Sequence, residues 1–69
     1  MAPGTPSLTR REQQLLALIG EALSSTEIAH RLGISVATVR KHRENLMRKL
    51  DLHNTAELVL YAIRRELDD

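Results

Sequence analysis

The most distinctive chemistry of this chain lies in a basic stretch at residues 33–50. This stretch carries five cationic side chains and one carboxylate, a local charge of +4, whereas the whole 69-residue chain carries only +1. The charged residues are Arg40, Lys41, Arg43, Arg48, Lys49 and Glu44. Guanidinium and ammonium groups held on one helix can neutralise a row of phosphates, so the stretch predicts a surface that binds a polyanion.

Other kinds of chemistry find little support among the remaining residues. The chain has no cysteine, which excludes a disulfide, a thiolate metal site and a cysteine nucleophile. Its three histidines, His30, His42 and His53, lack the paired spacing of a metal site. Ser24 and Ser35 are interpreted as helix caps, because no histidine and acid lie at a suitable spacing for nucleophilic catalysis. We therefore expect no cofactor and no enzymatic activity.

The pattern of apolar residues predicts an all-α domain of four helices that would hold the basic stretch. The predicted helices cover about residues 9–22, 25–32, 36–50 and 55–67. Capping pairs mark three of the four starts: Thr9 with Glu12, Ser24 with Glu27, and Asn54 with Glu57. Gly33 suits the left-handed residue that ends the second helix. Gly20 is expected to weaken the end of the first helix by about 1 kcal/mol relative to alanine.

Length and composition predict one small domain with an aliphatic core. Tyr61 is the only aromatic residue, which favours packed helices over a β-sandwich. Residues 1–7 are interpreted as a flexible lead-in or linker, residues 8–67 as the domain and residues 68–69 as a frayed end. No apolar run approaches the roughly 18 residues of a membrane span, so we expect no membrane partner.

The third and fourth helices each show two distinct faces. In the third helix Val39, Leu46 and Leu50 follow one face, and a polar and basic set follows the other. In the fourth helix Leu58, Tyr61 and Ala62 are expected to face the core. A second apolar stripe remains on that helix and predicts a partner surface, either a second copy or a missing amino-terminal domain. The stripe consists of Ala56, Val59, Leu60 and Ile63.

Two short helices joined by a tight glycine turn, the second being basic, form a helix-turn-helix pattern. Further residues occur at fixed offsets over about residues 8–65: Leu8-Thr9-Arg10-Arg11-Glu12, Ser24 with Glu27-Ile28-Ala29, Leu32, Ile34-Ser35, Thr38-Val39-Arg40-Lys41-His42, Leu46, Lys49-Leu50, and Asn54 with Glu57. Together they resemble the LuxR-type (GerE or NarL/FixJ-type) DNA-binding domain. The chain departs from the family pattern at Ala22, where glycine is frequent, at Thr55, where arginine is frequent, and at Glu44, where several members are cationic.

The resemblance implies a four-helix bacterial domain in the cytoplasm that regulates transcription. The third helix would enter the major groove of double-stranded DNA, and the fourth would form a homodimer. A missing amino-terminal regulatory domain, such as the receiver of a two-component response regulator, would precede it, and RNA polymerase would be a further partner.

The resemblance also implies roles for particular residues. Those expected to read bases are Ala37, Arg40, Lys41 and Glu44. Those expected to contact the DNA backbone are Thr26, Arg31, Ser35, Thr38, His42 and Lys49. The dimer would form through the apolar stripe of the fourth helix. His42 has an alternative reading as a packed helix residue.

Two further interpretations remain open. A sigma-factor-like promoter-reading domain shares the Leu-Thr-x-Arg-Glu opening, although the Thr38-Val39-x-x-His42 segment and the apolar stripe favour the LuxR type. A helical docking module would instead use the fourth helix to bind a protein and would have no DNA role. Its basic face would then be an ordinary solvated helix surface.

Overall fold

The structure is a computed structural model that describes residues 8–68, and this part of the chain forms four α-helices. They are α1 (Arg10–Gly20), α2 (Ser25–Leu32), α3 (Val36–Lys49) and α4 (Thr55–Asp68). The predicted all-α class with four helices is confirmed. The predicted lead-in at residues 1–7 and the last residue of the predicted frayed end lie outside the described residues, and α4 extends one residue past its predicted end.

Reciprocal capping boxes begin α1 and α2. At α1 the Thr9 hydroxyl accepts from the Glu12 N–H at 3.1 Å, and the Glu12 carboxylate accepts from the Thr9 N–H at 2.8 Å. Ser24 and Glu27 exchange the same two bonds at 3.2 and 2.8 Å. These bonds satisfy N–H groups that have no partner within the helix, which explains why the local pattern predicts both starts.

The starts of α3 and α4 use single caps. Ser35 Oγ accepts from the Thr38 N–H at 3.1 Å, and Asn54 Oδ1 accepts from the Glu57 N–H at 2.9 Å. The Glu57 carboxylate reaches back to the His53 N–H at 2.6 Å, one residue before the expected partner. The predicted cap pair at α4 is therefore confirmed, with this small difference in the returning bond.

The first three helices end in the same way, with one left-handed residue followed by an apolar one. The left-handed residues are Ala22 (φ 67°), Gly33 (φ 70°) and Asp51 (φ 57°). The apolar residues that follow donate their N–H to a carbonyl five residues earlier, in the pairs Leu23 to Leu18, Ile34 to Ala29 and Leu52 to Met47. This is the Schellman arrangement, which satisfies end carbonyls and turns the chain sharply.

The end of α1 differs from its predicted position. The helix ends at Gly20, two residues before the predicted end at Ala22. The Ala22 N–H bonds to the Ile19 carbonyl at 2.9 Å, and its left-handed backbone carries the chain away from the helix axis. The apolar spacing of Leu23 continued the helical pattern, so periodicity alone placed the end too late.

The core lies between α1 and the other three helices, all of which contact it. The two most extensive contacts divide the domain: α4 packs mainly on α1, and α2 packs on α3. The buried apolar residues are Leu15, Leu16, Leu18, Ile19, Ile28, Ala29, Val39, Leu46, Leu58 and Ala62. Tyr61 is half-buried against this core, so the predicted inward face of the fourth helix is confirmed.

Gly20 allows the close approach of α1 and α4. A Cβ atom at this position would lie 3.0 Å from the Ala62 carbonyl oxygen and 2.8 Å from Glu66 Cγ. The sequence suggested only a weakened last turn here, whereas the structure shows a packing role. Among the described helices, none combines the length and apolar character needed to cross a membrane.

Candidate nucleic-acid interface

The inner face of α3 fixes this helix to the rest of the domain. Val39 and Leu46 are both 0% exposed, two helical turns apart, and pack into the shared core. Arg43 lies between them and is half-buried, and this desolvation lowers the pKa of its guanidinium. The helix is therefore anchored along most of its length by side chains that cannot rotate away.

The outer face of α3 presents the four residues predicted to read bases. Ala37, Arg40, Lys41 and Glu44 are all exposed. Their spacing of three, four and seven residues places them on one side of the helix, away from Val39 and Leu46. The structure thus brings these four side chains together on one surface.

A shallow cavity of about 350 Å³ extends this surface towards the start of α4. Its lining includes Arg40, Arg43, Glu44, Met47 and Thr55. Within the described part of the chain, the Glu44 carboxylate makes no hydrogen bond or ion pair. Its acceptor oxygens are therefore open to an external donor, although two arginines line the same cavity.

The residues predicted to contact a DNA backbone occupy several places around α3. Ser35 and Thr38 lie at its start, where their hydroxyl oxygens share a hydrogen bond of 2.8 Å. Thr26 and Arg31 are exposed on the neighbouring α2, and His42 is half-buried on α3. Four of these five side chains are exposed and His42 is half-buried, and their contacts with DNA stay predictions.

Lys49 has a position that sequence reasoning did not foresee. Its Nζ atom lies 2.8 Å from Glu12 Oε1, in an ion pair between the end of α3 and the first turn of α1. Glu12 is only 4% exposed, while the Lys49 side chain is 38% exposed. The bond from Lys49, together with the backbone bond from Thr9, lowers the pKa of Glu12. The two residues lie 37 positions apart, so no local pattern connects them.

The apolar stripe predicted on the fourth helix is divided by the structure. Ala56 and Leu60 are exposed, with Leu60 at 57%, whereas Val59 and Ile63 are half-buried. Val59 packs against the core and contributes only part of its surface to the outside. Sequence reasoning missed Leu67, which is 80% exposed and lies two turns beyond Leu60 on the same face. Extending the helical spacing by seven residues would have found it.

Leu60 also borders a second surface cavity, of about 310 Å³. Leu52, Tyr61, Glu57 and Arg64 complete its lining. The cavity thus combines apolar side chains with one acid and one base. This side of α4 is a second exposed surface, distinct from the outer face of α3.

Comparisons with known proteins give the family context of these two surfaces. Residues 6–62 match the family described as "Bacterial regulatory proteins, luxR family". The chain is 42% identical over 62 residues to "Oxygen regulatory protein NreC" of Staphylococcus haemolyticus, covering 90% of this chain and 29% of that protein. It is 47% identical over 60 residues to "Transcriptional regulatory protein MctR" of Rhizobium johnstonii, covering 87% of this chain and 28% of that protein.

A third relative is "Uncharacterized response regulatory protein YgeK" of Escherichia coli. The two chains are 46% identical over 57 residues, which is 83% of this chain and 39% of that protein. The chain therefore spans between 28% and 39% of the length of these three curated relatives. The likeness covers nearly all the described helices here and leaves most of each relative unmatched.

Proposed function

The chain belongs to the luxR family of bacterial regulatory proteins, and we propose that it binds double-stranded DNA with sequence preference through the outer face of α3. The observation that carries this proposal is the division of α3. Ala37, Arg40, Lys41 and Glu44 are exposed together, while the opposite side is fixed in the core. The major groove of B-form DNA, about 12 Å wide, admits a helix held in this way.

The four exposed side chains have chemistry suited to base edges. Arg40 and Lys41 can donate to O6 and N7 of guanine, a contact that discriminates by roughly 1–3 kcal/mol. Glu44 can accept from the amino group of cytosine, because its carboxylate is exposed and lacks a described partner. Ala37 is small enough to contact the methyl group of thymine.

Contacts with the DNA backbone would supply most of the affinity and orient the domain. Ser35 and Thr38 lie at the amino terminus of α3, where hydroxyls and helix N–H groups suit phosphate oxygens. Thr26, Arg31 and His42 extend this set over α2 and the middle of α3. Binding should weaken steeply with added salt, because bound phosphates release their counterions.

The direct test is selection of bound duplexes from a random-sequence pool, followed by salt titration of the enriched duplex. We expect enrichment of a defined motif, and affinity for it that falls as salt rises. Recovery of duplexes without a common motif would contradict the sequence preference and leave only non-specific DNA binding. A chain that bound no duplex at low salt would exclude the proposed function altogether.

We further propose that two copies bind together through α4. The exposed Leu60, with Ala56, Val59 and Ile63 beside it, supplies an apolar surface along one side of the helix. A two-fold pair would present two copies of α3 to half-sites about one helical turn apart. Because one α3 offers only four base-facing side chains, pairing would raise both affinity and specificity.

The wider context of the domain is also a proposal. The relatives extend well beyond the region matched here, and two of them are named "Oxygen regulatory protein" and "Transcriptional regulatory protein". We propose that this domain acts in bacterial cytoplasm behind a regulatory domain of its own, without catalytic activity. RNA polymerase is a further proposed partner.

A second candidate function rests on the exposure of α4. Leu60 and Leu67 are 57% and 80% exposed, which also suits a helical module that docks on another protein. Family membership favours DNA binding over this reading and over a sigma-factor-like domain. Salt-dependent binding to a palindromic duplex separates DNA binding from protein docking, because a docking module without a DNA role would show no such binding.

A further inference from the structure

An ion pair between Glu12 and Lys49 connects the start of α1 to the end of α3. Glu12 lies in the first turn of α1, and Lys49 is the last residue of α3. Glu12 Oε1 accepts from both Lys49 Nζ and the Thr9 N–H, each at 2.8 Å. One carboxylate oxygen thus fixes the start of α1 and the end of α3 together.

The burial of Glu12 makes this contact difficult to exchange. With only 4% of the residue exposed, its carboxylate has little access to water. Removing Lys49 would leave the Glu12 carboxylate without its ionic partner, with only the Thr9 N–H still donating to that oxygen. A phosphate group that captured the Lys49 ammonium would impose the same loss on Glu12.

The contact between Glu12 and Lys49 restrains α3 in a way that its apolar anchors do not. Val39 and Leu46 hold the helix by burial, which is not directional. A charge-assisted hydrogen bond has a preferred length, so this one ties the end of α3 to the first turn of α1 and opposes displacement of the helix end. A shift at Lys49 would be transmitted along the rigid helix to the exposed base-facing residues.

We propose that Lys49 is a positioning residue for base reading, held by Glu12, and that it is not a ligand of the DNA phosphates. This inference rests on the proposed binding of DNA by α3. It replaces the backbone-contacting role that the family resemblance suggested for Lys49. Lys49 is then engaged with Glu12 and does not count among the cations that the basic stretch offers to DNA.

The test compares two lysine substitutions on the same helix. Lys49→Met removes the ammonium that Glu12 binds and keeps an aliphatic side chain, and Lys41→Met removes a charge of the same type from the outer face of α3. Affinity is measured against salt for a mixed-sequence duplex and for the duplex enriched by the wild type. Lys49→Met should reduce affinity for the enriched duplex about tenfold, similar to the loss of one base contact. Its affinity for mixed sequence and its salt slope should stay unchanged.

Lys41→Met should reduce discrimination, because Lys41 faces the bases, and unlike Lys49→Met it should also lower the salt slope, by up to about 1. Glu12→Gln provides a second, milder variant, because the amide oxygen can still accept both hydrogen bonds. It should reduce discrimination in the same direction as Lys49→Met. The double variant should show no more loss than Lys49→Met alone, because Lys49→Met already removes the contact that Glu12→Gln weakens.

Provided that the wild type binds DNA, three outcomes would overturn the inference. A fall of about 1 in the salt slope of Lys49→Met, with weaker binding of every duplex, would make Lys49 a phosphate ligand. Higher affinity of Glu12→Gln for all duplexes would also indicate a phosphate ligand, because Lys49 would have been released from Glu12 to bind DNA. Lower thermal stability with unchanged discrimination would leave the pair a purely structural role. If the wild type bound no duplex, the proposed function would fail first and this inference with it.

Discussion

Gly20 of α1 lies so close to α4 that a Cβ atom would sit 3.0 Å from the Ala62 carbonyl oxygen. Helix propensity alone would favour alanine at this position by about 1 kcal/mol. The steric cost of forcing two packed helices apart is typically about 1–3 kcal/mol and exceeds that gain. The absence of a side chain at Gly20 thus permits a close approach between α1 and the helix that carries the proposed dimer surface.

Gly20→Ala should therefore destabilise the domain, by about 1 kcal/mol in the free energy of unfolding. Urea denaturation followed by circular dichroism measures this directly. Adding Glu66→Ala in the same chain should recover only part of the loss, because the Ala62 carbonyl would still be in contact. A more stable Gly20→Ala protein would show that propensity dominates here and that α4 moves away easily.

Ala22→Gly should stabilise the domain by about 1 kcal/mol, because the left-handed backbone at φ 67° is costly for alanine and free for glycine. Gly33→Ala is the mirror-image control at φ 70°. No heavy atom lies within 4 Å of the added Cβ, so its expected loss of about 1 kcal/mol arises from the backbone alone. Changes of the same sign in both variants would contradict this explanation.

Gly20 and Ala22 show which parts of the fold the sequence alone could predict. Helix starts were predictable because each cap and its partner lie three residues apart, as with Thr9 and Glu12. The end of α1 was predicted two residues too late, at Ala22, because a left-handed alanine has no signature in apolar periodicity. The packing role of Gly20 depends on Ala62, more than forty positions away.

The candidate site was predictable to a similar extent. The helical repeat placed Ala37, Arg40, Lys41 and Glu44 on one face, and the structure leaves all four exposed. The engagement of Lys49 with Glu12 could not be foreseen, because it depends on how α1 crosses α3. Their roles on DNA remain predictions.

The Glu12 carboxylate should make stability depend on pH in the acid range. Its pKa in the folded state lies below the ordinary value of 4.5, chiefly through the bond from Lys49. The stabilisation is therefore complete above pH 4.5 and is lost as the pH falls through the lowered value. Urea unfolding of wild type across this range should show a steeper loss than that of Glu12→Gln.

Glu27→Gln serves as the control for that experiment. Glu27 also has a lowered pKa, from its hydrogen bonds with Ser24, but its side chain is exposed. Its replacement should change the acid slope less than replacement of Glu12, because solvent screens an exposed charge. Equal slopes for wild type and Glu12→Gln would rule out the assigned role of the buried carboxylate.

Leu60→Asp should abolish cooperative binding of two copies to a palindromic duplex and leave the monomer folded. The side chain is 57% exposed, so the substitution inserts a charge into the proposed interface without entering the core. Titration of the palindromic duplex measures the cooperativity, and sedimentation measures whether the free variant is a compact monomer. Gln14→Asp adds the same charge at an exposed position of α1 and should retain cooperativity. Cooperative binding by Leu60→Asp would exclude pairing through this surface.

The most direct test of base reading by α3 compares Arg40→Ala with Arg31→Ala on the duplex enriched by the wild type and on mixed sequence. Arg40→Ala should lower affinity for the enriched duplex by roughly 1–3 kcal/mol and affect mixed sequence much less, so discrimination falls. Arg31→Ala, the matched exposed arginine on α2, should weaken both duplexes alike and reduce the salt slope by about 1. If Arg40→Ala weakened both duplexes equally, α3 would not read bases through Arg40, and the central claim would be contradicted.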